Sequence, residues 1–314
     1  RTEHSRNWGI MVSFKNLDGI EVEWNIPMQS FGAEGGSEII RGLYDRGLKI
    51  EGNRKAKNKL LEFLTNSDPQ ERTTLVDKMG WYKNAFVLPD RVIGSAGDEV
   101  HYYSDNLTLF KPEQLGTIKD WQETISTYCK GNDLLTFAIS SAFLAPLIEI
   151  LGSESFGFHF VGDSSLDKST LLKVASSVYG SPHTYPKTWR ATDNALEATA
   201  SAHSDCLLIL DEIGQCDSRI IGETVYMLGQ GQGKARANDR GGARDIQHRW
   251  RLVFLSSGEK TLNEHMSDSG KQVKAGQEQR LLAIPACWHN SENERKNNGI
   301  YKNLHGFNSG AELS

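Results

Sequence analysis

The spacing of hydrophobic and polar positions divides the chain into two halves. In the first, "WGIMVSFKNLDGIEVEWNIP" sets short apolar stretches on either side of Asp18-Gly19, the pattern of a β-hairpin with a tight turn. "NKLLEFLTN" and "QERTTLVDKMG" carry apolar residues at helical spacing, with Gly80 placed to stop the second. "WYKNAFVLPDRVIG" and "EVHYYS" read as strands. Residues 1–115 therefore predict a smaller α+β domain, and none of its residue patterns carries obvious chemistry.

The second half, residues 116–314, opens with helices. "TIKDWQETISTYCKGN" is amphipathic and ends at Gly131, and Asn132 is placed to cap the apolar helix that follows. That run, "LLTFAISSAFLAPLIEI", is broken by Ser140, Ser141 and Pro146 and ends on Glu149, as expected of a buried helix and not a membrane span. From Gly157 the order becomes strand ("FHFV"), loop ("GDSSLDKS") and helix ("TLLKVASSVYG"). "CLLILDEIG" and "WRLVFLSSGE" are apolar without alternation, which predicts strands buried on both faces. Strands alternating with helices predict an α/β fold whose mainly parallel sheet is flanked by helices. "TWRATDNALEATA" reads as a turn and a helix start, with Asp193 or Asn194 near the cap and Trp189 in the core.

The loop between the first strand and its helix carries the chemistry. Gly162, Lys168 and Ser169 match the phosphate-binding pattern G-x-x-x-x-G-K-[ST], but Asp167 stands where the second glycine belongs. Such a loop aims backbone N–H groups at phosphate oxygens, at the head of a helix whose dipole favours anions. Gly162, Asp163, Ser164, Ser165, Lys168, Ser169 and Thr170 are the candidate cradle for ATP. Lys168 would hold phosphate and the Ser169 hydroxyl would hold magnesium.

Downstream, the run Leu207–Leu210 delivers Asp211 and Glu212 at its C-terminal end, where open parallel sheets bind their ligands. Asp211 is placed to hold magnesium, directly or through water, and Glu212 to polarise an attacking water. Ser256 and Ser257 end the third strand, and one of them is placed to sense the γ-phosphate. Three motifs in this order predict a P-loop nucleoside triphosphatase fold. Asp167 weakens the site on electrostatic grounds. At roughly 5 Å and an effective dielectric of about 20, its repulsion of a phosphate is about 3 kcal/mol, roughly a hundredfold in affinity. Lys168 offsets part of this. A loop that no longer hydrolyses ATP is the competing reading.

Composition constrains the rest. Of 314 residues, 38% are hydrophobic and 24% charged, which suits a packed core. Cys129, Cys206, Cys216 and Cys287 are scattered without a C-x-x-C pair, as expected of reduced thiols in a cytoplasmic protein. No signal peptide is seen, and a start at Arg1 is expected of a piece of a longer protein. The net charge of −5 does not by itself announce a nucleic-acid binder. Yet residues 234–251 hold Lys234, Arg236, Arg240, Arg244, Arg249 and Arg251 against Asp239 and Asp245. Lys234, Arg236, Arg240 and Arg244 are candidates for contacts to the DNA backbone. The alternatives are a solvated loop or arginines facing a neighbouring subunit. Arg280, in "AGQEQRLLAIPA", is the first candidate for an arginine acting across a subunit interface, with Arg236 or Arg244 in reserve. An ion pair with Glu278 is its structural alternative.

"FHFVGDSSLDKSTLLKVASSVYGSP", "TWRATDNALEATASAHSDCLLILDEIGQ", "VYMLGQGQGKARA", "WRLVFLSSGEKTL" and "GKQVKAGQEQRLLAIPA", in this order, resemble the bacterial and phage family catalogued as domain of unknown function 927. "GWYKNAFVLPDRVIG" resembles its N-terminal half. The resemblance implies a P-loop ATPase similar to the replicative helicases of phages, plasmids and chromosomal cassettes, some members being fused to primase-type domains. It implies ATP and Mg2+ as ligands, DNA as partner and a homo-oligomeric ring. The family loop normally reads Gly-Lys at Asp167-Lys168 and Thr at Leu166, a departure that touches catalysis and not fold. The chain is expected to stop before the family's C-terminal region.

Overall fold

The computed structural model describes residues 7–32, 34–97, 99–103, 112–164, 166–234, 248–287, 289 and 291–314. These form two compact units, one within Arg1–Asp77 and Tyr82–Ser104, the other within Lys78–Trp81 and Asp105–Ser314.

In the first unit β1 (Gly9–Lys15) pairs antiparallel with β2 (Glu21–Pro27). The Asn16 side chain accepts from the N–H groups of Asp18 and Ile20, and Gly19 supplies the positive φ of the turn. The helices Ser37–Asp45 and Arg54–Asn66 pack on this hairpin through Ile39, Leu43 and Leu64 against Ile26. The helix expected over "QERTTLVDKMG" is absent. Thr73–Val76 is instead β3, paired in parallel with β7 (Glu99–Tyr102). Three of its four residues are β-branched and fit a pleated surface better than a helix. Thr74, Leu75 and Val76 are buried there. Gly80, read as a helix stop, opens β4 (Gly80–Tyr82) with φ +98°; the first two residues of this strand belong to the second unit. The strands β5 (Ala85–Val87) and β6 (Val92–Gly94) pair antiparallel.

The second unit is built on a five-stranded, wholly parallel sheet. Its strands are β8 (Phe156–Val161), β9 (Lys187–Thr188), β10 (Leu207–Asp211), β11 (Val253–Gly258) and β12 (Leu281–Pro285), in the spatial order β12-β8-β11-β10-β9. Side chains alternate between its faces. On one face Phe158 and Phe160 meet Phe137 of the helix Asp133–Leu144, which packs beside the helix Lys168–Ser176. On the other face Leu208, Leu210 and Phe254 join Trp189, Leu196, Val225 and Leu228 in one core, under the helices Asp193–Ala202 and Ile221–Gln230. Gly157 makes room for the Phe254 ring, since a β-carbon there would lie 2.4 Å from it.

Two expected caps move. Thr192, not Asp193 or Asn194, accepts from Ala195 N–H at the head of its helix. The Asn132 side chain makes no cap; its Oδ1 accepts the N–H groups of Lys302 and Asn303, both at 2.8 Å. The four cysteines are free. No helix among the described residues is long and apolar enough to cross a membrane.

Candidate functional site at the carboxyl rim of the sheet

The strand order places the chemistry. β11 lies between β8, which runs into the loop, and β10, which ends in Asp211. The loop and the acidic pair therefore flank one strand at the same rim, roughly 10 Å apart by strand spacing. Register then separates the two serines. Ser257 pairs with Phe160 and so shares the face of the helix Lys168–Ser176, whereas Ser256 pairs with His159 on the opposite face. The Ser257 hydroxyl donates to Asp211 Oδ1 and accepts the Glu212 N–H at 3.2 Å. Ser256 is fully buried, bonded to Trp189 Nε1 (2.8 Å) and His159 Nδ1 (2.9 Å).

Asp167 occupies the N-cap of the helix Lys168–Ser176 at φ +52°, ψ +28°. The left-handed region that the loop's glycine would supply is thus kept by an aspartate, one of the residues that visits it at modest cost. Its carboxylate turns toward the segment 299–314: a β-carbon on Gly299 would lie 2.6 Å from Asp167 Oδ2. Burial raises the Asp167 pKa, while Ser314, Lys168 and Lys173 pull it down. Tyr301, fully buried, bonds Ser314 through its hydroxyl at 2.8 Å. Sequence reasoning missed this packing of residues 299–314 on the loop, because no periodicity links such distant positions.

Lys168 is buried and donates to the carbonyls of Gly162 (2.8 Å) and Asp163 (2.7 Å). A β-carbon on Gly162 would lie 2.8 Å from Leu166 Cδ1, a contact that the leucine side chain could relieve by shifting. The Ser164 hydroxyl donates to Glu259, an acid at the end of β11 that the motif patterns did not single out. Ser169 is exposed and Thr170 half-buried; Ser165 lies outside the described residues. Glu212 sits at φ +58° with its carboxylate accepting Gly214 N–H at 3.4 Å. A non-glycine residue held there is strained, as residues at functional sites often are. His159, also missed, is held neutral by burial, its pKa lowered to about 4, and bridges Ser256 to the Lys260 carbonyl.

The remaining candidates lie elsewhere. Lys234 is paired with Asp193 at 2.7 Å. Arg236, Arg240 and Arg244 fall outside the described residues. Arg280 precedes β12, at the opposite rim from Lys168, so it does not join this chain's own cradle. Its guanidinium stacks over Tyr226 (4.4 Å) and donates to Gly276 O (2.8 Å), and its nearest carboxylate is Glu154 (3.9 Å), not Glu278.

The residues at the carboxyl rim fit a magnesium nucleotide. A nine-residue helix presents its amino end behind the loop, a lysine ammonium rests on replaceable carbonyls, and a serine hydroxyl stands exposed beside it. Among the described residues no group of three or more His, Cys, Asp or Glu side chains is placed to hold a metal. Magnesium suits such a site, since it is bound through one or two protein oxygens together with phosphates.

The pattern of the family described as "Domain of unknown function (DUF927)" matches residues 1–248. No curated protein matches the chain. The solved structure titled "SCCmec type IV Cch - active helicase" superposes with a TM-score of 0.66 at 20% identity, over 88% of this chain and 51% of its own. That likeness shows a shared fold, and this chain spans about half the length of that protein. NtrX from Brucella abortus in complex with ATP gives 0.29 at 13% identity over 56% of this chain and 37% of its own. The apo NrS-1 C-terminal region gives 0.34 at 8% identity over 74% and 52%. Likenesses as loose as the last two carry no weight.

Proposed function

Since the chain belongs to the domain of unknown function 927 family, we propose that it is the ATP-hydrolysing module of a DNA helicase or translocase from a mobile genetic element. It would work in the cytoplasm as a homo-oligomeric ring, alongside primase or other replication proteins. The observation that carries this reading is the gathering of Lys168, Asp211 and Ser257 around the carboxyl end of β11. Lys168 would exchange the Gly162 and Asp163 carbonyls for phosphate oxygens. The backbone from Gly162 to Thr170, including Asp163, Ser164 and Ser165, would wrap the phosphates. Magnesium, held by Ser169 and Asp211, would neutralise charge on the phosphates. Glu212 would orient the attacking water, and Ser257, hydrogen-bonded to both ends of the acidic pair, would report the γ-phosphate to it. Ser256 would support this from beneath the sheet through His159 and Trp189. Lys234, Arg236, Arg240 and Arg244 would hold the DNA backbone. An arginine acting between subunits would come from Arg236 or Arg244, or from Arg280 if its guanidinium leaves Tyr226.

The test is ATP turnover with and without single-stranded DNA, in the natural chain and in Lys168→Ala. Turnover in the natural chain and its loss in the variant are expected; equal background rates in both remove the enzyme. A second reading has one observation in its favour, the carboxylate of Asp167 at the glycine position. In it the chain binds DNA or a partner without hydrolysing ATP. Hydrolysis that starts only in Asp167→Gly selects that reading.

A further inference from the structure

The parallel sheet has a second rim, and it is not featureless. Residues just ahead of β8, β10, β11 and β12 surround a cavity of about 500 Å³ at the amino ends of the strands. That volume lies within the roughly 300–1,000 Å³ of small-molecule sites. The cavity is lined by Lys78, Trp81, Asp205, Arg249, Arg251 and Arg280, among others. All of these belong to the second unit.

Asp205 is the unusual member. It is 3% exposed and sits at φ +56°. Its Oδ2 accepts the Trp81 N–H at 2.9 Å, whereas its Oδ1 is buried and makes no hydrogen bond. A buried carboxylate oxygen left unpaired is costly, and folded proteins retain few of them. Burial raises the Asp205 pKa to about 6, which leaves it an acceptor at neutral pH. Arg280 Nε, on the same wall, is also buried and unpaired. Arg251 is engaged by Glu149, and Arg280 by Gly276 and Tyr226. Lys78 and Arg249 are exposed and make no ion pair among the described residues. The cavity thus has one unfilled acceptor closed behind its wall, a half-buried indole from Trp81, and free cations at its mouth. Arg249 also closes the base of the basic segment, through a β-bridge to Gln232. A ligand that donates an N–H inward and carries an anion outward fits this arrangement.

We propose that this cavity binds one nucleotide unit of single-stranded DNA, the phosphate meeting Arg249 and Lys78 and the base donating an N–H to Asp205 Oδ1 once the carboxylate turns to open that atom to the cavity. The choice of DNA rests on the nucleic-acid part of the reading above; the chemistry of the cavity does not. The site is separate from the phosphate loop at the other rim.

The experiment is fluorescence anisotropy of the full chain with a labelled oligo-dC strand and with an abasic strand of the same length. Asp205→Asn keeps an acceptor for the Trp81 N–H and replaces the free acceptor by a donor. It is expected to weaken oligo-dC binding about tenfold and leave the abasic strand unchanged. Arg249→Ala is expected to weaken both strands and to reduce the salt slope by about one. Competition with cytidine monophosphate separates the sources: displacement shows that a free nucleotide suffices, and its failure shows that the strand is needed. If the natural chain binds oligo-dC and both variants bind it equally well, the cavity is not the site, whatever the ATPase does. If the natural chain binds neither strand nor cytidine monophosphate, the cavity proposal and the DNA reading fall together, while ATP turnover still tests the loop.

Discussion

Replacing Asp205 by asparagine should stabilise the second unit by an amount that depends on pH. Burial raises the Asp205 pKa from 3.8 to about 6 in the folded chain. Glu149 adds to the shift, and Lys78, Arg251 and the Trp81 N–H oppose it. The folded state therefore binds this proton more tightly than the unfolded state. Below pH 3.8 both states are protonated and the group costs nothing. Between 3.8 and 6 the unfolded chain ionises first, so stability falls as pH rises, and the loss is complete above about 6. The difference of about 2 pH units is worth about 3 kcal/mol. Asparagine is neutral throughout and keeps the hydrogen bond from Trp81. It should thus match the protonated acid at low pH and gain about 3 kcal/mol over the natural chain at pH 7.5.

For a unit of this size each kcal/mol moves the midpoint by about 2–4 °C, so the two transitions should separate by about 6–12 °C at pH 7.5 and converge near pH 4. Calorimetry of both proteins across this range reads the difference, and other titrating groups cancel in the comparison. A midpoint difference that does not change with pH would show that Asp205 is not desolvated, and the cavity argument would lose its buried acceptor.

Three further outcomes follow from the site geometry. Ser257→Ala should abolish ATP turnover and cost about 1–3 kcal/mol of stability through its lost bonds to Asp211 and the Glu212 N–H. Ser256→Ala should cost about 1–3 kcal/mol of stability by stranding Trp189 Nε1 and His159 Nδ1, with turnover reduced less than in Ser257→Ala; the reverse order would mean that the sheet faces are misassigned. Gly157→Ala sets a β-carbon 2.4 Å from the Phe254 ring and should destabilise the unit by about 1–3 kcal/mol, read by urea titration.

Much of the second unit was legible in the sequence, because a buried parallel strand leaves a plain trace. Leu207–Leu210 is apolar without alternation, and its end is marked by Asp211. The short strand β9 left no such trace, having two residues and only one neighbour. Thr73–Val76 was misread since its apolar spacing also suits a helix, and only pairing with β7 decides. The candidate site was legible at Lys168 and Asp211, which belong to compact patterns. The choice between Ser256 and Ser257 was not: it depends on which face of β11 carries the loop helix, and that follows from the strand order. Asp205 was invisible because an unpaired oxygen is a property of packing. No motif marks it.

The same limit applies to Asp167, where sequence and structure weigh one substitution differently. The charge argument assumes a carboxylate aimed at the phosphates. In the folded chain the backbone of Asp167 does what glycine would do, and the carboxylate turns toward the segment that carries Gly299. Two lysines, Lys168 and Lys173, also face it. The electrostatic penalty of about 3 kcal/mol is therefore an upper bound, reached only by an unscreened charge beside the nucleotide. What the substitution adds is a contact between the loop and the segment around Gly299, one that a glycine at position 167 would not make.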